Sequence, residues 1–337
     1  GRLVRHFVNR SRKKSKEIRI MNIFQKAGTA RLFLCATVLL AACGSSENSA
    51  DTTDTSVVVE TTIAADVYPV TAGDITLDAK PKHIVSLSPT ATEMLYAIGA
   101  GDQVVAVDEF SNYPPAAAEL GTALSGYEPN IESISTYQPD LVIASYDPGG
   151  LVEQLNLLGI PVLIQDAAVS FDSVYEQIEQ LGVLTGHIAE SVQLTAQMQS
   201  DIQTAVNSID IPGPISYYYE LDNTYYSVTS NTFIGQVFGL FGLRNIADSA
   251  ETGNDYPQLS AEAIVSSNPD LIFLADTKCC NESVATVGAR AGWSKVNAVI
   301  NGNIIELDDD IASRWGPRIV ELVTTIGAAI SKALVNS

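Results

Sequence analysis

The sequence predicts an α/β protein of two lobes, each a central sheet flanked by helices, joined by one long helix with a ligand cleft between the lobes. Three observations support this fold class. Short β-branched runs alternate with helical segments, one long stretch keeps a helical period, and one motif occurs twice. Alternation of this kind is typical of buried parallel strands with crossover helices. We expect lobes at residues 75–186 and 211–337 and a linker helix at 187–210.

Residues 1–42 have the layout of an export leader. A basic stretch after Met21 is followed by an apolar run at residues 32–40 and by small residues up to Cys43. This order is typical of a secretory signal, and the run is shorter than the roughly 20 residues that span a membrane. We predict that Cys43 carries a lipid; an ordinary signal followed by an unrelated cysteine is the alternative. Residues 1–20 precede the start at Met21 and are left out of the fold.

The chain after the leader is strongly acidic. Residues 43–74 are polar and small and are predicted to be a flexible tether, because such a segment buries too little apolar surface. The whole sequence has a net charge of −20, and residues 1–42 hold ten of its 19 basic and one of its 39 acidic residues. Nine basic and 38 acidic residues remain. This balance argues against nucleic-acid binding and against polybasic lipid binding.

The first lobe is expected to begin with a strand and a capped helix. The apolar run Ile84–Leu87 predicts the strand. The helix after it starts either at Ser88, with Pro89 in its first turn, or at Thr90, with Glu93 completing a capping box. Further buried strands of this lobe are expected at residues 104–107, 141–144 and 161–164.

The linker helix and the second lobe follow. Apolar residues recur at a helical period from His187 to about Ile209, and Pro212 and Pro214 then stop the helix. One long helix with a hard stop is what a rigid rod between two lobes requires. Strands of the second lobe are expected at residues 215–219, 225–228, 271–274 and 304–307, and a closing helix at 317–335.

One motif occurs in both lobes. Glu132 precedes Pro139 by seven residues, Glu262 precedes Pro269 by the same spacing, and Pro-Asp and an apolar strand follow each time. Since proline ends a helix at the residue before it, each copy predicts a helix, a turn and a strand. Two copies indicate duplicated lobes with a cleft between them.

Cysteine and histidine are sparse in the chain after the leader. Besides Cys43, only the adjacent pair Cys279 and Cys280 remains, which is not a disulfide scaffold. A vicinal disulfide and two free thiols both stay open. His83 and His187 are interpreted as structural or surface residues, and no metal site is predicted, because a metal needs several converging ligands.

From about Ile75 to its C-terminus, the chain resembles the solute-binding proteins of ABC importers for iron-siderophores, haem and vitamin B12. The residues that carry the resemblance are Ile84–Glu93, Gly99–Val107, Ser111–Pro115, Asn130–Glu132 and Gln138–Ile143. The resemblance implies two Rossmann-like lobes on one linker helix, a metal chelate as ligand, an ABC importer permease dimer as partner, a monomer and no enzymatic activity. Tryptophans that corrinoid-binding members have near Gly126 and Ser145 are not matched, so a ferric siderophore is placed before cobalamin and haem.

The resemblance also implies roles for single residues. Glu132 and Glu262 match the glutamates that pair with arginines of the permease; two solvated carboxylates in helical first turns are the alternative. Ligand contacts are expected after strand ends, and Arg314 would donate to an anionic ligand edge unless it pairs with neighbouring aspartates. The aromatic candidates, some of which the core would equally bury, are Phe110, Tyr113, Tyr127, Tyr146, Tyr219, Tyr225, Tyr226 and Trp315.

A surface-anchored enzyme and a chelate sensor are the two alternative classes of function. A surface-anchored α/β enzyme would carry a recognisable catalytic motif, and no Gly-x-Ser-x-Gly elbow, phosphate loop or His-Glu-x-x-His pair occurs in the sequence. A chelate sensor that signals to a membrane partner would use the same cleft as a transporter and stays an alternative. Capture of a metal chelate for import, outside the cell and anchored by lipid, is the leading prediction.

Overall fold

Residues 67–122, 124–250 and 253–336 are described by the computed structural model. The predicted leader, Cys43 and most of the predicted tether lie outside these residues. The tether boundary is corrected, because residues before 75 are part of the lobe: strand β1, Val70–Ala72, pairs antiparallel with β2, Ile75–Leu77. Among the described helices, none combines the length and apolar character needed to cross a membrane.

The first lobe is a parallel four-stranded sheet covered by helices on both faces. Its strands run in the order β4-β3-β5-β6, and β3 and β5 are buried along their whole length. The strands are β3 (Ile84–Leu87), β4 (Val104–Val107), β5 (Leu141–Ala144) and β6 (Val162–Ile164). The helices are α1 (Pro89–Ala97), α2 (Pro115–Ala118), α3 (Ile131–Ser135), α4 (Leu151–Leu157) and α5 (Phe171–Thr185).

Of the two predicted starts for α1, the structure uses the first. The hydroxyl of Ser88 accepts a hydrogen bond from the backbone N–H of Ala91, and Pro89 occupies the first turn. Glu93 is therefore not part of a capping box, and its carboxylate is directed elsewhere.

The linker helix α6 spans Ile188–Asn207, within three residues of the predicted range 187–210. At 1.5 Å per residue, its 20 residues extend about 30 Å. It packs against α5 of the first lobe and against the C-terminal helix α13, Ile319–Asn336, of the second. One hydrophobic cluster runs along these helices and includes residues of both lobes.

The second lobe repeats the topology of the first. Its strands run in the order β8-β7-β9-β10. Counted along the chain within each lobe, this is second, first, third, fourth, the same order as in the first lobe. The strands are β7 (Ser216–Glu220), β8 (Arg244–Asn245), β9 (Leu271–Leu274) and β10 (Ile304–Glu306). The helices before α13 are α7 (Phe233–Gly239), α8 (Ala261–Ser267), α9 (Thr277–Cys280), α10 (Val284–Gly288), α11 (Asn297–Ile300) and α12 (Asp309–Ser313).

The strand expected at residues 225–228 is wrong. Tyr225 has a φ of 67°, which interrupts an extended chain, and Tyr226 forms only an isolated bridge to Gln258. The neighbour of β7 on that side is the short strand β8 instead. The β-branched and aromatic composition of the segment reflects burial of Ser227, Val228 and Thr229 rather than sheet pairing.

Candidate functional site

The carboxyl ends of the two sheets face each other. The loop that follows β4 contacts the segment that follows β10: Arg314 donates to the backbone oxygen of Phe110 at 2.9 Å, and the amide of Asn112 donates to Asp310 at 3.1 Å. Ligands of open α/β sheets bind at the carboxyl ends of strands. The space beside these contacts is therefore the candidate ligand cleft.

A buried ionic bridge joins the lobes at one side of this cleft. Glu93 of α1 accepts from Arg314 at 2.7 Å and from Arg318 at 2.8 Å. Glu93 is 3% exposed and Arg314 is 9% exposed, so water screens these bonds weakly. Two further contacts between the lobes accompany this Glu93 bridge. Trp315 donates its indole N–H to Gln177 at 3.1 Å, and Phe171 packs edge-on against Phe233.

Three aromatic side chains form a wall on the first lobe next to the bridge. Phe110 and Tyr127 meet edge to face with centroids 5.7 Å apart, and Tyr146 lies 6.3 Å beyond Tyr127. Phe110 is 49% exposed and Tyr127 is 46% exposed. Side chains of this size are rarely left open to water in a group unless a partner covers them. This aromatic wall is the surface in the cleft best suited to a large flat ligand.

The wall rests on a buried polar layer. Asp108 is 4% exposed and accepts a hydrogen bond from Ser111. Burial raises the pKa of Asp108 to about 6. Gly126 is required beside it, since an added Cβ would lie 2.7 Å from the backbone oxygen of Leu87. The short side chain lets the loop that carries Tyr127 lie directly on the strand ends.

The other cleft candidates have different surroundings. Tyr219 is fully buried beside Phe238, with its hydroxyl donating to the backbone of Ala312, so it belongs to the core and its expected place in the cleft is wrong. Tyr225 lies against Trp293 under Arg290 in the second lobe. Tyr226 is half-buried beside it.

Near the bridge, the guanidinium carbon of Arg318 lies 4.2 Å from the ring centre of Tyr113. Arg314 directs both terminal nitrogens at Glu93, Asn112, Phe110 and Asp310, so it is a bridging residue in this structure rather than an exposed donor. The pairing with a neighbouring aspartate, the alternative considered from the sequence, is one of these bonds.

A buried carboxylate cluster in the second lobe has no counterpart among the predictions. Arg290 donates to Glu220 at 2.6 Å and lies 3.0 Å from Glu282. Asp276, fully buried, has both oxygens without a donor among the described residues. Its burial, then the negative charge of Glu220, raises the pKa of Asp276 to about 8. The only sequence signal was a glutamate at the end of an otherwise apolar strand.

Asp276 should make the stability of the protein fall as the pH rises. Its folded pKa of about 8 exceeds the ordinary 3.8, so the folded state keeps a proton that the unfolded state loses. The contribution is complete below about pH 4 and is lost as the pH rises through about 8. Asp276→Asn should flatten this slope, since the amide is neutral throughout. Urea unfolding of both proteins across this range measures it, and parallel slopes would contradict the assignment.

Cys279 and Cys280 lie side by side in α9 with their Sγ atoms in contact, and the vicinal disulfide stays a prediction. The helix is anchored to the segment after β10. Lys278 binds Asp308 at 2.8 Å and Asp310 at 2.9 Å. The cysteine pair therefore lies beside the segment after β10, to which the backbone N–H of Cys279 also donates at Asp309.

Glu132 and Glu262 occupy equivalent places. Each lies exposed in the first turn of a short helix capped by Asn130 or Ser260, and the ten residues 131–140 share one burial pattern with 261–270. In both lobes a positive-φ residue, Gln138 or Asn268, directly precedes Pro-Asp. The motif repeat is thus a structural repeat that gives each lobe one outward carboxylate.

Neither histidine of the described residues lies in the cleft. The backbone N–H of His83 donates to Asp140, and the ring of His187 is 3.1 Å from Gln103. Within the part of the chain that is described, no three His, Cys, Asp or Glu side chains are placed to hold a metal ion.

Comparisons with known proteins agree with this architecture. The sequence profile of the periplasmic binding protein family matches residues 84–311. An uncharacterized ABC transporter substrate-binding lipoprotein of Bacillus subtilis is 33% identical, covering 91% of this chain and 97% of its own. A cobalamin-binding protein of Halobacterium salinarum is 34% identical over 80% of this chain and 76% of its own. The crystal structure of the vitamin B12-binding protein of Vibrio cholerae superposes with a TM-score of 0.62 at 28% identity, over 75% of this chain and 98% of that one. These names point to binding rather than catalysis.

Proposed function

The chain belongs to the periplasmic binding protein family, and on that premise we propose that it captures a metal chelate between its lobes and delivers it to the permease of an ABC importer. It is a substrate-binding protein of the importer group for vitamin B12, haem and siderophore-type ligands. The aromatic wall is the observation that carries the proposal. Flat, half-exposed rings at the carboxyl edge of a sheet suit a macrocycle or the apolar rim of a chelate.

Among chelates, we propose a corrinoid first, ahead of the ferric siderophore favoured from the sequence alone. The change rests on the relatives, because one at 34% identity is named as a cobalamin-binding protein. The missing tryptophans do not weigh against it as strongly as the sequence suggested, since Phe110, Tyr127 and Tyr146 supply an aromatic surface at the same loops. Cys43 as a lipid anchor belongs to the proposal and is supported by the lipoprotein relative.

Tyr127→Ala should weaken binding of cyanocobalamin by roughly tenfold, because it removes the central ring of the wall. Isothermal titration of the full chain measures the dissociation constant. Tyr137→Ala is the matched control, as this half-buried tyrosine lies in the turn before β5, at the opposite edge of the sheet.

The same titration tests the function itself. Cyanocobalamin, a ferric hydroxamate and haem are offered in turn, and the proposal requires that at least one binds below roughly 10 µM, or about −7 kcal/mol. If none does, capture of a metal chelate is excluded. If Tyr127→Ala and Tyr137→Ala lose equal affinity for the ligand, the aromatic wall is not part of the ligand site.

A further inference from the structure

We propose that the cleft selects an electrically neutral or cationic chelate and excludes polyanionic ones, and that Glu93 determines this selectivity by occupying the arginines at the cleft. The inference rests on the proposed function, since it concerns the ligand of that same cleft. It goes beyond the family, whose ligands include both neutral and anionic chelates.

The chain after the predicted leader holds few cations. After residue 43 the sequence holds nine lysines and arginines, and all of them lie in described residues. Five lie toward the amino edges of the sheets, away from the cleft. Lys82, for example, directly precedes β3, and Lys332 donates to Gly302 before β10. The five are Lys80, Lys82, Arg244, Lys295 and Lys332.

The remaining four cations lie at the carboxyl edges, and each is bound to carboxylates. Lys278 contacts two aspartates, and Arg290 contacts Glu220 and Glu282. Arg314 and Arg318 share Glu93, and Arg314 also binds Asp310. Every positive charge of the described residues near the cleft is therefore neutralised within the protein.

Acidic side chains surround the aromatic wall. Glu109 precedes Phe110 and is exposed, Glu128 follows Tyr127, and Asp108 lies beneath them. Burial and then the charges of Asp108 and Glu109 raise the pKa of Tyr127, which reports a negative field at the wall. Arg314 acts on one of these acids, Asp108, and its guanidinium is already paired with Glu93 and Asp310.

This distribution of charge makes an anionic ligand costly to bind. An anionic edge buried against this wall would lose its hydration without gaining an opposite charge, which costs several kcal/mol. A neutral corrinoid or a cationic hydroxamate chelate avoids this cost, and a cation gains from the field. A dianionic porphyrin or a triscatecholate iron complex does not. Glu93 decides the outcome because its single carboxylate holds two arginines that would otherwise face such a ligand.

The experiment titrates the full chain with four probes: cyanocobalamin (neutral), ferrioxamine B (cationic), haem (dianionic) and a ferric triscatecholate (trianionic). We expect the tightest neutral or cationic probe to bind at least about 100-fold more tightly than either anion. Glu93→Gln should reduce this ratio of affinities, neutral or cationic over anionic, by at least about tenfold, because Arg314 and Arg318 lose their shared carboxylate. Glu109→Lys should narrow it as well and leaves the bridge intact, so the test stands even where Glu93→Gln does not fold. Asp74→Lys, in the exposed turn between β1 and β2, is the control and should leave the ratio unchanged.

The outcomes separate the two proposals. If an anionic probe binds within tenfold of the best neutral or cationic one, the charge inference is overturned and chelate capture stands. If Glu109→Lys shifts the ratio no more than Asp74→Lys does, charge at the wall is not the determinant and the inference also fails. If none of the four probes binds, both proposals fall together.

Discussion

Replacement of Arg290 by methionine is expected to lower the free energy of unfolding by about 3–5 kcal/mol. The substitution keeps apolar volume but leaves Glu220, which is fully buried, and Glu282 without their cation. Asp276, already without a donor among the described residues, would then adjoin an uncompensated carboxylate. The guanidinium also lies 4.8 Å from the ring of Trp293, and this contact is lost too. Urea unfolding near neutral pH measures the loss.

Arg244→Met is the matched control for Arg290→Met. Arg244 is an exposed arginine of the same lobe, and its loss should cost no more than about 1 kcal/mol. Adding Glu220→Gln to Arg290→Met should recover part of the lost stability, because the stranded charge is removed with its partner. A loss in Arg290→Met no larger than that of the control would mean that the cluster is hydrated and contributes little.

Charge reversal at both outward carboxylates, Glu132→Lys with Glu262→Lys, should abolish uptake of the ligand by whole cells. If these residues pair with arginines of the permease, each reversal turns an attraction into a repulsion that costs several kcal/mol. Each single reversal should reduce uptake less than the double variant. Affinity for the ligand in isothermal titration should not change, since both side chains lie exposed on helices that do not carry the aromatic wall.

The control for the double reversal is Glu153→Lys with Glu321→Lys. These are also exposed first-turn glutamates, one on α4 of the first lobe and one on α13 after the second sheet. Both double variants change the net charge by the same amount. If both lose uptake, the cause is the overall charge and not the two docking positions. A loss of ligand binding in Glu132→Lys with Glu262→Lys would place these residues in the cleft and not at a docking surface.

The regular part of the fold could be predicted because its signals are local. The β-branched runs predicted seven strands of the two sheets, with each end correct to within one residue. The Pro-Asp motif predicted a repeat, and its two copies have the same burial pattern. The strand expected at residues 225–228 failed because Tyr225 adopts a positive φ that its side chain does not signal. The hairpin strand Val70–Ala72 was missed because three residues carry too little periodicity.

The site was harder to predict for a different reason. In β7 the strand is buried on both faces, so Tyr217, Tyr218 and Tyr219 are all in the core, and alternation gives no sign of which ring faces a cleft. The partner of Arg314 lies 221 residues away in the other lobe, and no local pattern reports such a pair. Phe110 and Tyr146 could be singled out from the sequence because each lies two or three residues after the end of a strand. Tyr127 could be singled out because it lies in the loop that packs on the strand ends.

The repeated strand order has a mechanical consequence. All strand pairing in the described part of the chain stays within a lobe, so separating the lobes breaks no backbone ladder. What resists separation is the bending stiffness of α6, the hydrophobic cluster along α5, α6 and α13, and the side-chain contacts between the lobes, which include the buried Glu93 bridge. A pull on the two lobes therefore loads that bridge before it loads either sheet. We therefore expect each lobe to move as a rigid body about α6, with the ion pairs of Glu93 to Arg314 and Arg318 holding the lobes together.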